Sequence, residues 1–360
     1  MSKNHNLFKN TFKKIISFDN LKKAYNRTQK SNSKYKKSSI KFSMNLTRNL
    51  KALENKLKTK EYTTDKYKTF KVHEPKERII SAPQFKDKVV QFAVHNILNP
   101  DFERKFIYDS YSCIKGKGTH ACADRAQHFL SKANWKWRNP WILKADIKSY
   151  FYSIDHDILK ELLGKEIKDK DTMWLLEEII NGSPNPIGLP LGNITSQLFA
   201  NVYLNELDEY VKRKLGKKFY LRYMDDICCI VKSRADSKKL KKSITSFVNE
   251  KLNLRMNKNK TKIFPLKQGV NFTGYKIWHT HKLLRKKSKE RIKSKLKKFP
   301  KLIRKGDLTK QKAEQMLNSW KGHADHACSY NLYLYLEDRF DFLIFKEDKL
   351  KIDMDKIKEV

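Results

Sequence analysis

The apolar positions of the first sixty residues follow a helical pattern near the start of the chain and lose it further along. Ser, Asn and Lys dominate residues 25–45, which predicts a loosely ordered basic stretch between two helices. The second of these helices is expected to end near residue 58. The first helix is predicted from apolar residues at helical spacing, namely Phe8, Phe12, Ile15 and Ile16.

A second amphipathic segment covers residues 281–312. Its apolar residues fall at positions i, i+4, i+7 and i+11, which predicts a helix with one narrow apolar stripe and a basic remainder. Such a helix fits contact with nucleic-acid phosphates, and by composition it fits a membrane surface equally well. The stripe consists of Ile292, Leu296, Phe299 and Ile303.

The centre of the chain mixes helical and strand patterns. Residues 83–129 and 192–214 carry apolar positions at helical spacing, whereas residues 141–146 form a short apolar strand that ends on a carboxylate. Residues 219–231 predict two apolar strands joined by a tight turn, Tyr223-Met224-Asp225-Asp226. With 360 residues, 39% apolar and 12% aromatic, the chain is expected to fold into two or three packed units.

The charge of the chain points to a polyanionic partner. The sequence holds 79 Lys and Arg residues against 39 Asp and Glu, a formal net charge of +40. Residues 1–60 carry 17 basic residues against two acidic ones, and residues 281–312 carry 15 against two. A solvated surface is the simpler interpretation of such runs, but self-repulsion of this size favours nucleic acid first and an anionic membrane second.

Membrane insertion and secretion are not expected. The longest apolar run, residues 227–231, is far shorter than a membrane-spanning helix, and the N-terminus does not have the pattern of a signal peptide. The five cysteines form no CxxC pair. Reduced thiols in a cytoplasmic protein, with no membrane partner, are therefore expected.

Three aspartates occupy two predicted strand ends. Asp146 ends one apolar strand, and Asp225 and Asp226 lie in the turn between two others. Turns accept Asp for local reasons, since its side chain bonds nearby backbone. Three carboxylates brought together, however, repel one another unless a cation lies between them. Two divalent ions bridged by such carboxylates form the usual clamp for phosphoryl or nucleotidyl transfer.

In their order and spacing, four sequence blocks resemble the palm of a reverse transcriptase. They are Asp146 followed by the aromatic Phe151, then LPLGNITSQ at 189–197, then YMDD at 223–226, then FTGY at 272–275. The resemblance covers about residues 70–280. It implies an α+β right-hand polymerase that copies RNA into DNA with two Mg²⁺ ions, for which Mn²⁺ is a possible substitute.

The resemblance also implies a division into domains. Residues 1–60 would form a basic helical extension, residues 61–140 the fingers and residues 141–280 the palm, with a fingers insertion at about 160–188. Residues 281–360 would form a helical thumb. About 80 residues after the palm suffice for a thumb but not for an added RNase H or endonuclease domain.

Individual positions match the family's motif. Asp146 and Asp225 match its metal-binding pair, and Asp226 matches the second carboxylate of the turn. Phe151 matches the aromatic that excludes a ribose 2′-OH, although a core aromatic is the simpler alternative. Arg78 matches a residue that grips the incoming triphosphate, which suits a planar guanidinium, although a surface role is equally open.

Other matches concern the nucleotide and the primer. Gly192 matches a glycine whose missing Cβ lets the backbone approach the nucleotide. Lys262 is a candidate for the basic residue near the leaving pyrophosphate, with neighbouring lysines as alternatives. Tyr223 and Gln197 belong to the blocks that contact substrate, and residues 272–275 resemble the hairpin that holds the primer end.

One departure from the common pattern suggests a branch of the family. Many reverse transcriptases have Gln-Gly and Ser-Pro where this chain has Leu191-Gly192 and Ser196-Gln197. Since Leu191 cannot hydrogen-bond to sugar or base, the nucleotide is expected to be held less tightly. This pattern, with residues 107–122 and 201–212, resembles reverse transcriptases of diversity-generating retroelements. It implies adenine-mutagenic copying of a template-repeat RNA and an accessory oligomeric protein.

Two alternatives stay open. A retron or phage-defence reverse transcriptase shares the palm, and a non-catalytic RNA-binding module would keep only its shape. In either case template RNA and an RNA–DNA hybrid are expected partners, and the enzymes would take deoxynucleoside triphosphates.

Two weaker signals are set aside. His323, His326 and Cys328 suggest zinc but lack a fourth ligand and a second paired motif. Asp155 precedes a helix start, where it is expected to act as the N-cap.

Overall fold

A computed structural model describes residues 8, 10–30, 32–73 and 77–341. The predicted extension and thumb therefore reach beyond the described part at residues 1–7 and 342–360. Contacts between Cα atoms divide the chain into two compact units. Unit 1 comprises Met1–Gly116, Ala145–Ile227 and Lys238–Lys262, and unit 2 comprises Lys117–Lys144, Cys228–Ser237 and Ile263–Val360.

The N-terminal part of unit 1 is a set of four helices packed beside a long fifth helix. Four helices of this set, α1, α2, α3 and α4, precede a β-hairpin, β1 and β2, and the long helix α5 follows it. α5 contacts α1, α2 and α3. The bounds are α1 Thr11–Ile16, α2 Phe18–Thr28, α3 Lys37–Met44, α4 Leu46–Lys58, β1 Lys68–Val72, β2 Arg78–Ala82 and α5 Phe85–Lys105.

The prediction of a loosely ordered stretch at residues 25–45 is wrong. Helix α2 continues to Thr28, a 3₁₀ turn covers Asn32–Tyr35, and α3 follows. The aromatic ring of Phe42 lies 6.2 Å from that of Tyr25 and 5.1 Å from that of Phe85, measured between centroids. Burial against these rings orders a segment whose own composition is polar.

Helices and short strands alternate through the middle of the chain. Among the predicted elements, the strand at residues 141–146 is confirmed, as are the two strands around the tight turn and the helical reading of residues 192–214. The helical interpretation of residues 83–129 is also confirmed, since this stretch holds α5 and the first part of a further helix, α6. The further bounds are α6 Thr119–Lys136, β3 Trp141–Asp146, α7 His156–Glu166, α8 Lys170–Asn181, α9 Ile194–Glu209, β4 Tyr220–Tyr223, β5 Asp226–Val231 and α10 Arg234–Leu252.

The strands form small sheets, one of which carries the predicted aspartates. A four-stranded sheet has the order β4-β5-β3-β6, so β3 and β5 are neighbours. β7, β8 and β9 form an antiparallel sheet with β8 in the centre. The bounds of the later strands are β6 Lys262–Pro265, β7 Val270–Phe272, β8 Tyr275–Ile277 and β9 Lys282–Leu284.

The C-terminal part of unit 2 is helical, as the apolar stripe predicts. α11 covers Lys286–Arg304 and α12 covers Lys310–Ala324, and residues 330–341 are also helical. Ile292, Leu296 and Phe299 of the stripe are buried in one apolar cluster, against which Ile303 packs. The mixed helices and antiparallel sheets agree with the expected α+β fold of a right-hand polymerase.

Candidate active site

Strand order brings the three aspartates to neighbouring positions. Asp146 is the last residue of β3 and is 3% exposed, while Asp226 is the first residue of the adjacent β5. The β4–β5 connection is tight because Met224 adopts a left-handed conformation with φ of 55°. Asp225 follows Met224 in this turn and is half-buried.

The electrostatics of the turn reflect crowded negative charge. Burial and the neighbouring carboxylates of Asp146 and Asp226 raise the pKa of Asp225 to about 6. Asp146 Oδ1 is buried and accepts no hydrogen bond from a described residue. A buried carboxylate oxygen without a donor is costly in free energy, so these groups are suited to a cation.

A lysine that the sequence did not single out reaches the aspartates. Lys260 Nζ lies 2.7 Å from Asp146 Oδ2. Burial alone would lower the pKa of Lys260, but the hydrogen bond to Asp146 and the charges of Asp225 and Asp226 raise it. The predicted Lys262 instead begins β6 and is exposed.

Backbone contacts with the end of β3 set the position of Lys260. The amide of Asn257 donates to the carbonyl of Asp146 at 2.7 Å, and the amide of Lys148 donates to the carbonyl of Arg255 at 2.8 Å. Asn257 Oδ1 then accepts from the amide of Lys260 at 3.3 Å. This side-chain turn selects one lysine from a run in which the residue types alone are equivalent.

A buried arginine, Arg222, fixes the conformation of the turn. Arg222 is fully buried, and its Nη1 donates to the carbonyl of Met224 at 2.9 Å. Its Nε and Nη2 donate to both carboxylate oxygens of Asp208, at 2.7 to 2.9 Å. Two more bonds reach Asn201 Oδ1 and Ser110 Oγ. Although burial works in the other direction, Asp208 raises the pKa of Arg222, so the guanidinium stays charged.

The predicted Phe151 lies in a 3₁₀ turn that follows β3. Its side chain is half-buried, and its carbonyl accepts from the amide of Leu189 at 2.6 Å. Gly188 makes this approach possible, with φ of +91° and a Cβ position only 2.7 Å from the Cα of Tyr152. A side chain at Gly188 would therefore push the two segments apart.

The Leu191-Gly192 pair packs on strand β2. The amide of Ser81 donates to the carbonyl of Leu191 at 3.1 Å. Gly192 has φ of +115°, and a Cβ there would lie 3.2 Å from Ile80 Cγ2. The predicted Arg78 begins the same strand and is exposed. Glycine is needed here for backbone conformation and for close approach to β2, two reasons that the motif did not give.

The remaining predicted positions lie on the flanks of these elements. Tyr223 is half-buried at the end of β4, and Gln197 is half-buried in the first turns of α9. Asp155 caps α7 as expected, since its side chain accepts from the amides of Asp157 and Ile158. Arg222 and Asp208 were missed, because nothing in their local sequence indicates that they are partners, and Lys260 was left among the unnamed lysines beside Lys262.

The zinc candidates lie in unit 2. The ring of His326 stacks on that of His120 with centroids 3.7 Å apart, and Tyr275 Oη lies 3.1 Å from His323 Nδ1. Cys328 is exposed. Over the residues that the structure describes, no three His, Cys, Asp or Glu side chains are arranged to hold a metal ion.

A profile of the family described as "Reverse transcriptase (RNA-dependent DNA polymerase)" matches residues 66–277, well over half of the chain. The chain belongs to this family. The resemblance drawn from its motifs is thereby confirmed at the level of the family.

Curated relatives of the chain include a group II intron-encoded protein and a retron protein. Protein YkfC of Escherichia coli is 27% identical over 59% of this chain and 65% of its own length. The group II intron-encoded protein LtrA of Lactococcus lactis is 24% identical over 58% and 45%, and the Retron Ec73 reverse transcriptase of Escherichia coli is 28% identical over 60% and 69%. The chain thus spans less than two thirds of the length of YkfC and LtrA.

Among solved structures, apo telomerase from Candida tropicalis is similar in fold. The TM-score is 0.50 at 16% identity, over 63% of this chain and 49% of that one. This likeness supports the right-hand fold and nothing finer.

In the described part of the chain, no helix combines the length and apolar character that a membrane span requires.

Proposed function

We propose that the protein is an RNA-directed DNA polymerase that extends a primer on an RNA template by two-metal nucleotidyl transfer. The observation that carries the proposal is the meeting of Asp146 with Asp225 and Asp226 on adjacent strands, in a chain of this family. Template RNA, the RNA–DNA hybrid and deoxynucleoside triphosphates are the expected ligands.

The carboxylate oxygens of the three aspartates are the donor type that divalent ions prefer, although in the described structure these side chains do not form a ready metal site. Asp146 offers a buried oxygen that no described donor occupies, and carboxylate oxygens are the ligands that Mg²⁺ prefers. Two Mg²⁺ ions, or Mn²⁺ in their place, would be held by Asp146, Asp225 and Asp226. When bound, they supply charge stabilisation for an in-line displacement at a phosphate.

The surrounding residues have proposed roles in binding the nucleotide. Phe151 would exclude a ribose 2′-OH, and Arg78 would bind the triphosphate through its planar guanidinium. Lys260 already contacts Asp146 and is a better candidate than Lys262 for a cation beside the leaving pyrophosphate. Gly192, Gln197 and Tyr223 would line the nucleotide site, and Arg222 would position the turn.

Primer extension tests the proposal. The purified chain is supplied with a DNA primer annealed to RNA, deoxynucleotides and Mg²⁺, and cDNA is measured. Asp146→Asn and Asp225→Asn should each lower the rate at least about a hundredfold, because each removes a charge that holds the ions. Asp157→Asn, an exposed carboxylate outside the site, is the matched control. Parental rates in either site variant would overturn the metal assignment, and an inactive parent would favour a non-catalytic RNA-binding module.

Within the family, we further propose an error-prone enzyme of a diversity-generating retroelement. The support is Leu191, an apolar residue in the turn that packs on β2 beside the proposed triphosphate site. Such an enzyme would copy a template-repeat RNA with errors at adenines and would act with an accessory oligomeric protein, in the cytoplasm. Leu191→Gln is expected to reduce errors opposite template adenine, measured by sequencing cDNA, and an unchanged error spectrum would contradict this.

A retron or phage-defence reverse transcriptase is the competing candidate, since one relative is the Retron Ec73 enzyme. The two candidates differ in their product. A cDNA joined covalently to its RNA, detected as a shift on a denaturing gel that ribonuclease removes, would favour the retron.

A further inference from the structure

A basic groove lies on the N-terminal helices of unit 1. It has a volume of about 840 Å³ and is lined by residues of α1 and α2, with Asn96 and Ile97 of α5. Five cations face it against a single acid. These charged residues are Lys13, Lys14, Lys23, Arg27, Lys30 and Asp19.

The four lysines of the groove carry unmatched charge. Each is exposed, and none forms an ion pair with a residue that the structure describes. On the neighbouring helix α4, by contrast, Lys58 pairs with the carboxylate of Glu54 at 2.7 Å. The groove therefore concentrates positive potential that the protein itself does not neutralise.

Arg27 differs from the lysines because its position is fixed. Its guanidinium lies 5.0 Å from the centre of the Phe92 ring. Its Nη1 donates to Asn96 Oδ1 and approaches His95 Nδ1 at 3.3 Å. Since an arginine only donates, His95 must present an unprotonated nitrogen here. Burial and the charge of Arg27 lower the pKa of His95 to about 4, which agrees with a neutral ring.

The side-chain amides of Asn20 and Asn96 support the contacts of Arg27. Asn96 Nδ2 donates to Asn20 Oδ1 at 3.0 Å. Asn20 is 6% exposed, and its Nδ2 donates to the carbonyls of Ile15 and Ala93 at 2.9 and 3.0 Å. The network thus ties α1, α2 and α5 together beneath the groove.

The Arg27 network contains no carboxylate. Every described partner of Arg27 is neutral, and burial lowers its pKa. A half-buried guanidinium without a counter-charge is costly for the free protein, and an anion placed in the groove removes that cost. Its remaining N–H groups suit the paired oxygens of a phosphate.

We propose that this groove binds the phosphodiester backbone of an RNA, with Arg27 gripping one phosphate and the four lysines neutralising its neighbours. The uncharged lining favours RNA over an acidic protein segment. Asn10 and Asn26 offer donors and acceptors for sugar hydroxyls and bases, whereas Ile97 is the one apolar residue of this lining. Protein interfaces rely on apolar and aromatic anchors that the groove lacks. The inference goes beyond polymerase activity, because such binding needs none of the three aspartates.

The first test measures RNA affinity and its salt dependence. A fluorescent oligouridylate is titrated with the full chain carrying Asp225→Asn, so that binding is measured without catalysis. Changing Lys13, Lys14, Lys23 and Lys30 to Gln should weaken binding at least about tenfold and reduce the salt slope by about three, since each single-strand phosphate contact contributes about 0.7. The matched control changes four exposed lysines outside the groove, Lys37, Lys41, Lys51 and Lys56.

The control variant distinguishes RNA binding at the groove from RNA binding by positive charge spread over the surface. Both quadruple variants lose four charges from the same helical region and involve exposed side chains, so both should fold. The control is expected to bind RNA within about threefold of the parent. Equal weakening in the two quadruple variants would overturn the proposal. Competition by polyglutamate as effective as competition by unlabelled RNA would also overturn it, in favour of an acidic protein partner.

The second test locates the RNA. Photo-crosslinking with 4-thiouridine in the oligonucleotide should mark peptides from residues 10–30 in the parent, and these crosslinks should disappear in the groove variant. Arg27→Lys should recover less than half of the affinity that Arg27→Gln loses, because an ammonium lacks the planar fork. Crosslinks found only outside residues 10–30 would refute the site.

Failure of this inference can be separated from failure of the proposed function. With an intact Asp225, the groove variant should raise the KM for primed RNA template and leave kcat unchanged. A lower kcat with an unchanged KM would count against the groove while leaving polymerase activity in place. An inactive parent that still binds RNA through the groove would count against the polymerase alone.

Discussion

Two arginines of unit 1 show how the same side chain serves opposite purposes. Arg222, behind the aspartate turn, is fully buried and bonded to both oxygens of Asp208. Arg27, in the groove, is held by an amide, an imidazole and a ring, none of them charged. The first has its counter-charge inside the protein and stabilises a shape. The second has none among the described residues and is left able to bind an anion.

The largest effect should come from breaking the Arg222 pair. Arg222→Met leaves Asp208 buried with an unpaired charge and should cost about 3–5 kcal/mol in the free energy of unfolding, measured with urea. The double variant Arg222→Met/Asp208→Leu should recover most of this loss, because no buried charge remains. A loss below about 1 kcal/mol in the single variant would mean that the pair is not the support described.

Acid should lower the free energy of unfolding through His95, which lies beside Arg27. Its pKa is about 4 in the folded chain and about 6.5 when exposed, so the unfolded chain takes up a proton first as the pH falls. Stability is therefore full above about pH 6.5, falls between about 6.5 and 4, and levels off below, with a total loss of about 3 kcal/mol at most. Urea unfolding over this range should show a smaller loss for His95→Gln, and identical curves would contradict the prediction.

A smaller effect should follow from crowding the loop at Gly188, which packs against the backbone of Tyr152. Gly188→Ala places a Cβ 2.7 Å from the backbone of Tyr152 at a φ of +91°, and should cost about 2 kcal/mol. Gly116→Ala is the control, since its φ of +74° is similar but no atom lies within 4 Å. It should cost about 1 kcal/mol. Equal thermal unfolding of the two variants would show that close approach is unimportant.

The smallest change in stability is expected at Arg27. Arg27→Gln removes a cation that no carboxylate balances, so the free energy of unfolding should change by about 1 kcal/mol or less. RNA affinity should fall in the same variant. The variants Arg27→Gln and Arg222→Met thus compare an arginine without an internal counter-charge with one that has such a partner. A stability loss near that of Arg222→Met would show that Arg27 is a structural residue instead.

The sequence predicted the parts of the site that depend on local pattern. Asp146 ends an apolar strand, and Asp225 lies in a tight turn between two others, so both positions could be read from a short window. Lys260 could not be identified from a short window, because it and Lys262 are lysines in the same basic run. Only the side-chain turn at Asn257 distinguishes Lys260. The roles of Phe151 and Arg78 stay predictions.

Long-range partners explain the remaining differences. Arg222 has partners on segments that its own strand does not indicate, and Gly188 is required by the backbone of Tyr152. The prediction for residues 25–45 was wrong because the ring that orders Phe42 belongs to Phe85, beyond the hairpin. The family, and with it the fold class, could be predicted because four motifs recur in order.

The bonds of Arg222 also constrain how the chain folds. Its partners include Ser110, which lies 112 positions away, and Asp208 on a separate helix. A collapsed intermediate that hid this guanidinium before those partners arrived would bear an unpaired buried charge. We therefore expect the hairpin of β4 and β5, α9 and the segment around Ser110 to come together cooperatively. In a chain built this way, the aspartate turn takes its final shape only when the core around it is complete.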